Sequence, residues 1–225
     1  MKKWIIQQQW SNVLFVNWKV DPLTLQKIIP FDLDLHEKQA VVSVVPFFMS
    51  HVRFPWTPRI PFISELWELN LRTYVVHQGR PGIYFLTLDS SHRLGNCIAR
   101  SFFKLPYQYA SIQFRMHQQE LSNAEYILQA SGKNYQMNLK ANVSKANIDD
   151  SFQRWVTERY CLFIRHGNKV IRGDVEHEKW KVQKAELKNY SGNFSDQYGV
   201  QLPSSPSSVY YAKKLNVRFS PFQIL

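Results

Sequence analysis

The chain has 225 residues, of which 44% are hydrophobic and 15% aromatic, and a formal net charge of +11 at pH 7. This apolar content is enough to offset chain entropy, so the composition excludes a disordered chain and favours one globular domain over residues 1–225. A basic surface attracts anions in general, but the lysines and arginines are spread along the chain without the dense run of a nucleic-acid-binding arm.

The sequence predicts no targeting segment, membrane span or metal site. The apolar run in MKKWIIQQQW is too short for a signal peptide, and no later stretch approaches the ~20 apolar residues of a membrane span. Cys97 and Cys161 have no CxxC or Cys/His ligand spacing, and the seven histidines show no HExxH motif. We therefore expect reduced thiols, with a disulfide between the two cysteines as the alternative, and no metal, no cofactor and a cytoplasmic location.

A strand and a short helix open the predicted fold. Residues 12–20, NVLFVNWKV, are rich in β-prone side chains, and Asp21 can cap a helix that has Pro22 at its first position. The run QAVVSVVPFFM predicts a second strand. Its Pro46 lacks a backbone N–H, which indicates an edge, a bulge or the end of pairing at this point.

The run ELNLRTYV, residues 68–75, alternates between apolar and polar side chains, so one face of the predicted strand is unusually polar. A five-residue link with Gly79, Pro81 and Gly82 joins it to the next run. That run, 83–88, is almost entirely apolar or aromatic, which is typical of a strand covered on both faces. The polar face carries Glu68, Asn70, Arg72 and Tyr74.

A helix is predicted after these strands. Ser90 or Ser91 can cap it, and an apolar stripe with spacings of four, four and three ends at Leu105. Arg100 and Lys104 run beside the stripe. Pro106 then ends the helix, because it cannot donate a backbone hydrogen bond and forces Leu105 out of the α region.

Strands dominate the rest of the chain. Residues 110–118, 124–130 and 134–143 predict three strands joined by short turns, and Asp150 precedes a short helix in FQRWVTERY. YCLFIR and KVIRGDVEH predict a hairpin, and VYYAKKLNVRF a last strand. With roughly nine strands and three short helices, the predicted class is α+β, mostly antiparallel β.

Several of these segments, in their order along the chain, resemble the bacterial family of YqjF-like proteins. That family is similar in fold to acetoacetate decarboxylase. The most specific are ELNLRTYV, ARSFFKLPY and TERYCLF taken together, and the resemblance covers residues 10–188. It implies a single domain of acetoacetate decarboxylase-like fold. In that fold a bent antiparallel sheet closes into a cone-shaped barrel with a few short helices and a buried cavity.

The resemblance also marks a departure. Acetoacetate decarboxylases place a Schiff-base lysine and a second lysine directly after the proline that ends this helix. The neighbouring cation and the apolar site both stabilise the neutral, nucleophilic form of the reactive amine. Here Tyr107 and Gln108 follow Pro106. The resemblance therefore implies a cavity without lysine Schiff-base chemistry.

Each candidate residue has a structural alternative. Glu68 and Arg72 share a strand face and could bind and polarise a small carboxylate or carbonyl, but they could equally form a buried ion pair or a wet face. Tyr107 occupies the reactive-lysine position and could donate a hydrogen bond or a proton, or it could only pack. Lys104, one helical turn earlier, could reach the same space or stay solvated beside Arg100.

We predict a cavity protein that binds a small organic molecule, with an anion as one option. The catalytic candidates are Tyr107, Lys104 and Glu68. The alternatives are a lyase or hydrolase acting on a small keto acid and, second, a basic nucleic-acid-binding surface; the residues do not decide whether the protein is an enzyme. Glu68, Arg72 and Tyr107 are expected to line one cavity with aromatic side chains of residues 83–88. The ligand-binding candidates are Arg72, Tyr74 and Arg100.

Overall fold

The computed structural model describes residues 4–55, 65–93, 105–118 and 123–225. Within these ranges, fourteen strands form one sheet, and two α-helices, α1 Pro22–Gln26 and α2 Ser151–Thr157, accompany it. Nearly all pairings are antiparallel, which confirms the predicted mostly antiparallel α+β class. The strands are β1 Ile6–Val20, β2 Asp32–Leu33, β3 Ala40–Arg53, β4 Leu66–His77, β5 Arg80–Ser90, β6 Tyr107–Tyr109, β7 Ser111–Gln118, β8 Ala124–Ser131, β9 Gln136–Ile148, β10 Cys161–His166, β11 Lys169–His177, β12 Val182–Gly192, β13 Ser208–Phe219 and β14 Gln223–Ile224.

The sheet closes on itself. The strand order runs β11-β10-β5-β4-β3-β1-β13, and β11 also pairs with β13, where Val175 lies opposite Phe219. These seven strands therefore form a barrel, and closure leaves no free edge between them. Beyond β13 the sheet continues through β12, β9, β8 and β7.

Hydrophobic cores lie on both sides of the barrel wall. Inside the barrel, Phe15, Phe47 and Leu162 belong to one buried cluster. Outside it, Leu14 and Leu71 belong to a second cluster, which packs against side chains of β8, β9 and β12. Successive side chains of a strand point to opposite faces, so the barrel strands supply both cores at once.

A β-bulge at Asn12 changes which residues of β1 face the interior. Asn12 has a φ of 52°, and the register between β1 and β3 shifts between Ser11 and Val16. The bulge is held from outside, because the hydroxyls of Tyr126 and Tyr211 donate to the carbonyl and side-chain oxygen of Asn12 at 3.2 and 2.8 Å. Pro46 of β3 lies opposite this irregular stretch, which confirms the bulge among its predicted roles.

The turn between β4 and β5 is shorter than predicted. His77 pairs with Arg80, so the link contains only Gln78 and Gly79, which have φ values of 51° and 72°. Such positive values at both positions are typical of a type I′ hairpin turn. Gly82 belongs to β5, where a Cβ atom would lie 2.7 Å from the Phe163 ring. A glycine is needed there because β10 approaches β5 so closely.

Other sequence predictions have mixed outcomes. The side chain of Asp21 accepts a hydrogen bond from the Thr24 N–H, which confirms the predicted cap of α1. The strand count was too low, since the sequence did not predict β12. Most of the helix predicted before Pro106 lies outside the described residues. No helix in the described ranges is long and apolar enough to span a membrane.

Candidate functional site

The barrel interior contains a cavity of about 60 Å³. Its wall is mostly apolar, with Phe15, Phe47 and Phe85 among the lining residues. One water molecule needs about 10–15 Å³, so the space can hold several waters or a small organic molecule. A few polar side chains interrupt the apolar wall, which is the usual composition of a small-molecule site.

Glu68 of β4 places a carboxyl group in this cavity wall. The residue is only 3% exposed, and its Oε2 accepts a hydrogen bond of 2.7 Å from the Tyr107 hydroxyl. Burial raises the pKa of Glu68 to about 7, although the hydrogen bonds from Tyr107 and Asn70 oppose this rise and the charge of Asp89 adds to it. A carboxyl group with this pKa can take up or release a proton near neutral pH.

Tyr107 reaches the cavity from β6, the short strand that pairs in parallel with β5. It lies opposite Leu88 and directly follows Pro106. Burial, with a further contribution from the Glu68 charge, raises the pKa of Tyr107 well above its ordinary value. The phenol therefore stays protonated and acts as a hydrogen-bond donor to Glu68.

Arg72 is a buried cation without a carboxylate partner among the described residues. It is 7% exposed, its Nη2 donates to the Val156 carbonyl at 3.2 Å, and its guanidinium lies 5.3 Å from the Phe15 ring centroid. Arg159, which is similarly buried, instead pairs with Asp34 at 2.6 Å. Arginine keeps its charge in proteins, so an unpaired guanidinium in an apolar wall is costly and favours an anionic ligand.

Five cavity-lining residues each have one buried polar atom without a hydrogen-bond partner in the described part of the chain. Leaving such an atom unsatisfied costs about 1–3 kcal/mol, and native proteins contain few of them. These five residues share the wall of one cavity. The atoms are Gln8 Oε1, Trp10 Nε1, Asn70 Oδ1, Arg72 Nε and Trp180 Nε1.

The structure brings some of the predicted residues together and not others. Glu68, Arg72 and Tyr107 line the same cavity, which confirms the predicted convergence. Tyr74 is not among its lining residues; its hydroxyl lies 2.8 Å from Ser43 Oγ and accepts from Arg72 Nη2 at 3.5 Å. The predicted candidates Arg100 and Lys104 lie outside the described residues.

Sequence reasoning missed Gln8, Trp10 and Trp180. Gln8 and Trp10 precede the stretch that was interpreted as the first strand, and their neighbours Gln7 and Gln9 are also polar, so no alternation is visible. Trp180 lies in a four-residue loop between β11 and β12, where periodicity carries no information. The only available signal was the segment VEHEKW, residues 175–180, which ends at Trp180 and is a further part of the resemblance to the YqjF-like family.

The geometry around the cavity does not resemble a metal centre. Within the described ranges, no group of three or more His, Cys, Asp or Glu side chains could hold a metal ion. The cavity wall instead combines one guanidinium, one carboxyl, one phenol, two amides and two indoles. These groups are suited to binding an organic molecule by hydrogen bonds and charge.

Comparison with known proteins assigns the family. Residues 7–216 match the DUF2071 family of uncharacterised conserved proteins. The chain belongs to this family. It is also 36% identical, over 98% of its length, to the uncharacterised protein YqjF of Bacillus subtilis (strain 168), and it covers 92% of that protein. The predicted family resemblance is therefore confirmed.

Solved structures confirm the fold of this DUF2071 protein. An acetoacetate decarboxylase-like enzyme from Sphingomonas wittichii RW1 superposes with a TM-score of 0.69 at 14% identity, with 99% of this chain and 94% of that chain covered. The enduracididine biosynthesis enzyme MppR complexed with pyruvate superposes with a TM-score of 0.67 at 11% identity, with 100% and 91% covered. At such low identity the likeness shows a shared fold and does not transfer an activity.

Proposed function

We propose that the protein binds a small carboxylic acid in the barrel cavity, with Arg72 as the anion-binding residue. The observation that carries this proposal is a permanently charged, buried guanidinium that lines a cavity and has no carboxylate partner in the described chain. A carboxylate would neutralise the charge and could accept from the unpartnered Nε. MppR, which shares the fold, is complexed with pyruvate in one solved structure.

The Glu68–Tyr107 pair is the second polar element of the proposed site. Strand positions four apart are separated by about 13 Å along the backbone, so Glu68 and Arg72 approach the cavity from different ends. Below a pH of about 7 the Glu68 carboxyl is largely protonated and uncharged, so it does not repel an anion bound nearby. A small monoanion therefore suits this wall better than a cation does.

The proposal includes no lysine Schiff base. Tyr107 occupies the position that carries the reactive lysine in acetoacetate decarboxylases, and none of the described lining residues is a lysine. Borohydride treatment in the presence of pyruvate should therefore leave the mass of the protein unchanged. A trapped adduct that disappears in Lys104→Ala would show that Lys104 supplies this chemistry.

Calorimetric titration with pyruvate and with methyl pyruvate, its uncharged ester, tests the proposal. The wild-type protein should bind pyruvate about tenfold more tightly than the ester, since a charge-assisted hydrogen bond is worth more than a neutral one. In Arg72→Met this preference should disappear. Equal affinity for pyruvate in both proteins would remove Arg72 from the site and overturn the proposal.

A second candidate function is acid–base catalysis, as a lyase or hydrolase acting on a small keto acid. It is favoured by one observation, the Glu68 carboxyl with a pKa of about 7 next to a phenol donor. Exchange of the pyruvate methyl protons for deuterium, followed by NMR in heavy water, reports on such a base. The wild-type protein should exchange these protons faster than buffer alone, and Glu68→Gln should lose this acceleration. A wild-type rate equal to that in buffer would count against acid–base catalysis.

We also propose that this function is cytoplasmic, as the interpretation of the cysteines as reduced thiols predicts. Cys161 is a free, buried thiol in the structure, whereas Cys97 lies outside the described residues. Labelling of thiols in protein isolated under alkylating conditions should find Cys161 reduced.

A further inference from the structure

Two tryptophan side chains that line the cavity have indole N–H groups without a hydrogen-bond partner in the described chain. Trp10 belongs to β1, and Trp180 belongs to the loop that joins β11 to β12; both line the cavity. Their rings stack with centroids 6.1 Å apart and an interplanar angle of 27°. Neither indole Nε1 has a hydrogen-bond partner in the described chain, although both nitrogen atoms are buried.

The surrounding packing holds each indole in place. The Trp10 ring lies 4.9 Å from the Phe47 ring, and the Trp180 ring contacts Phe15 edge-on at 5.0 Å. The backbone N–H of Trp180 donates to Glu158 Oε1 at 3.0 Å, which fixes the loop that carries the ring. Donors held in this way lose little conformational entropy when a ligand binds to them.

The indoles lie within reach of a small molecule that also contacts Arg72. The Phe15 ring centroid is 5.0 Å from the Trp180 ring and 5.3 Å from the Arg72 guanidinium carbon. The Trp180 ring and the Arg72 guanidinium therefore cannot be further apart than the sum of these two distances. A ligand of a few heavy atoms can span this separation.

We infer that Trp10 and Trp180 form a second subsite, which binds a hydroxyl or carbonyl oxygen of the same carboxylic acid whose carboxylate Arg72 binds. This inference rests on the proposed function. The oxygen is uncharged, because Arg72 is the only cation among the described lining residues and a second carboxylate would have no counter-charge in an apolar wall. The indole pair thus selects between acids that have the same chain length.

Three acids of equal length test this selection: pentanoate, 4-oxopentanoate and pentanedioate. We expect 4-oxopentanoate to bind about tenfold more tightly than pentanoate, because pentanoate leaves the buried indole donors unpaired. Pentanedioate should bind most weakly, because its second carboxylate has no counter-charge in the apolar wall. Trp10→Phe and Trp180→Phe each remove an N–H and keep an aromatic ring. Both variants should lose most of the preference for the oxo acid while their affinity for pentanoate changes little.

Trp18 provides a matched control. Its indole Nε1 is also buried without a partner, but its ring packs in the core outside the barrel. Trp18→Phe should therefore keep the full preference for 4-oxopentanoate. If a variant fails to fold, the indole N–H resonances of the wild-type protein give the answer directly: 4-oxopentanoate should shift those of Trp10 and Trp180 and leave that of Trp18 in place.

The outcomes separate this inference from the proposed function. If Arg72→Met loses affinity for all three acids while the Trp10 and Trp180 variants keep the wild-type preference, the carboxylate site stands and the indole subsite is wrong. Tightest binding of pentanedioate would also overturn the subsite, because the second group would then be an anion. If none of the three acids binds to the wild-type protein, the proposed function fails and this inference fails with it.

Discussion

The phenol of Tyr107 donates a hydrogen bond of 2.7 Å to Oε2 of Glu68 and joins β6 to β4, the two strands that pair with the last residues of β5. The bond stabilises the ionised carboxylate, while burial destabilises it by a larger amount, so the pKa of Glu68 rises from an ordinary value of 4.5 to about 7. This balance makes the proton affinity of the cavity adjustable by single substitutions.

Tyr107→Phe should raise the pKa of Glu68 above its wild-type value. The substitution removes the hydrogen bond that opposes the effect of burial and leaves the carboxyl group in an equally apolar wall. Titration of the Glu68 side-chain carboxyl carbon by NMR measures the change. An unchanged or lower pKa would mean that the 2.7 Å bond does not stabilise the charged form.

Glu68→Gln should stabilise the protein at pH 8 and have little effect at pH 4. The folded-state pKa of Glu68 lies above its unfolded value, so the unfolded chain binds fewer protons and wild-type stability falls as the pH rises from 4.5 to about 7. This loss amounts to at most about 3 kcal/mol. The free energy of unfolding in urea, measured at both pH values, tests this prediction. Glu178→Gln, at an exposed position, should leave the free energy of unfolding unchanged at both.

Arg72→Met and Arg159→Met should differ in stability without a ligand. Arg159 pairs with Asp34 at 2.6 Å, so its removal leaves a partly buried carboxylate unpaired and should cost about 2–4 kcal/mol. Arg72 has no such partner in the described chain, so Arg72→Met should be close to neutral or stabilising. Unfolding free energies in urea compare the two variants. A large loss in Arg72→Met would favour a purely structural role.

Gly82→Ala should destabilise the fold more than Gly79→Ala does. A Cβ at Gly82 would lie 2.7 Å from Phe163 and 2.9 Å from the Cys161 carbonyl, which forces β10 away from β5 and costs about 1–3 kcal/mol. At Gly79 no atom lies within 4 Å, so only the left-handed backbone penalises alanine, by about 1 kcal/mol. Thermal unfolding of both variants provides the comparison. The reverse order would contradict the close approach of the two strands.

Nucleic-acid binding, if it is detected, should be weak, unspecific and lost at moderate salt. With a net charge of +11, the protein can neutralise phosphates and release their counterions, which gives unspecific affinity. However, the basic residues are scattered, and no base-reading element is evident in the sequence. Titration of unrelated duplexes at two salt concentrations tests this expectation. A sequence-specific complex that survives moderate salt would revive the nucleic-acid alternative.

The sequence predicted those features that depend on neighbouring residues. The alternation of ELNLRTYV placed Glu68 and Arg72 on one face, because the side-chain period of a strand is a property of the local backbone. The cap at Asp21 followed in the same way, since its partner lies three residues away. The resemblance added the position of Tyr107, which alternation could not supply because β6 has only three residues.

Tertiary structure alone decided how these faces meet. The pairing of β11 with β13 turns an open sheet into a barrel, and its partners Val175 and Phe219 are too distant in sequence for any local pattern to reveal. The bulge at Asn12 depends on hydroxyls from two other strands, and it is this extra residue that allows both Trp10 and Phe15 to face the interior. Trp180 comes from a loop without periodicity, so tertiary contacts, among them those with Phe15, Trp10 and Glu158, bring its indole to the cavity.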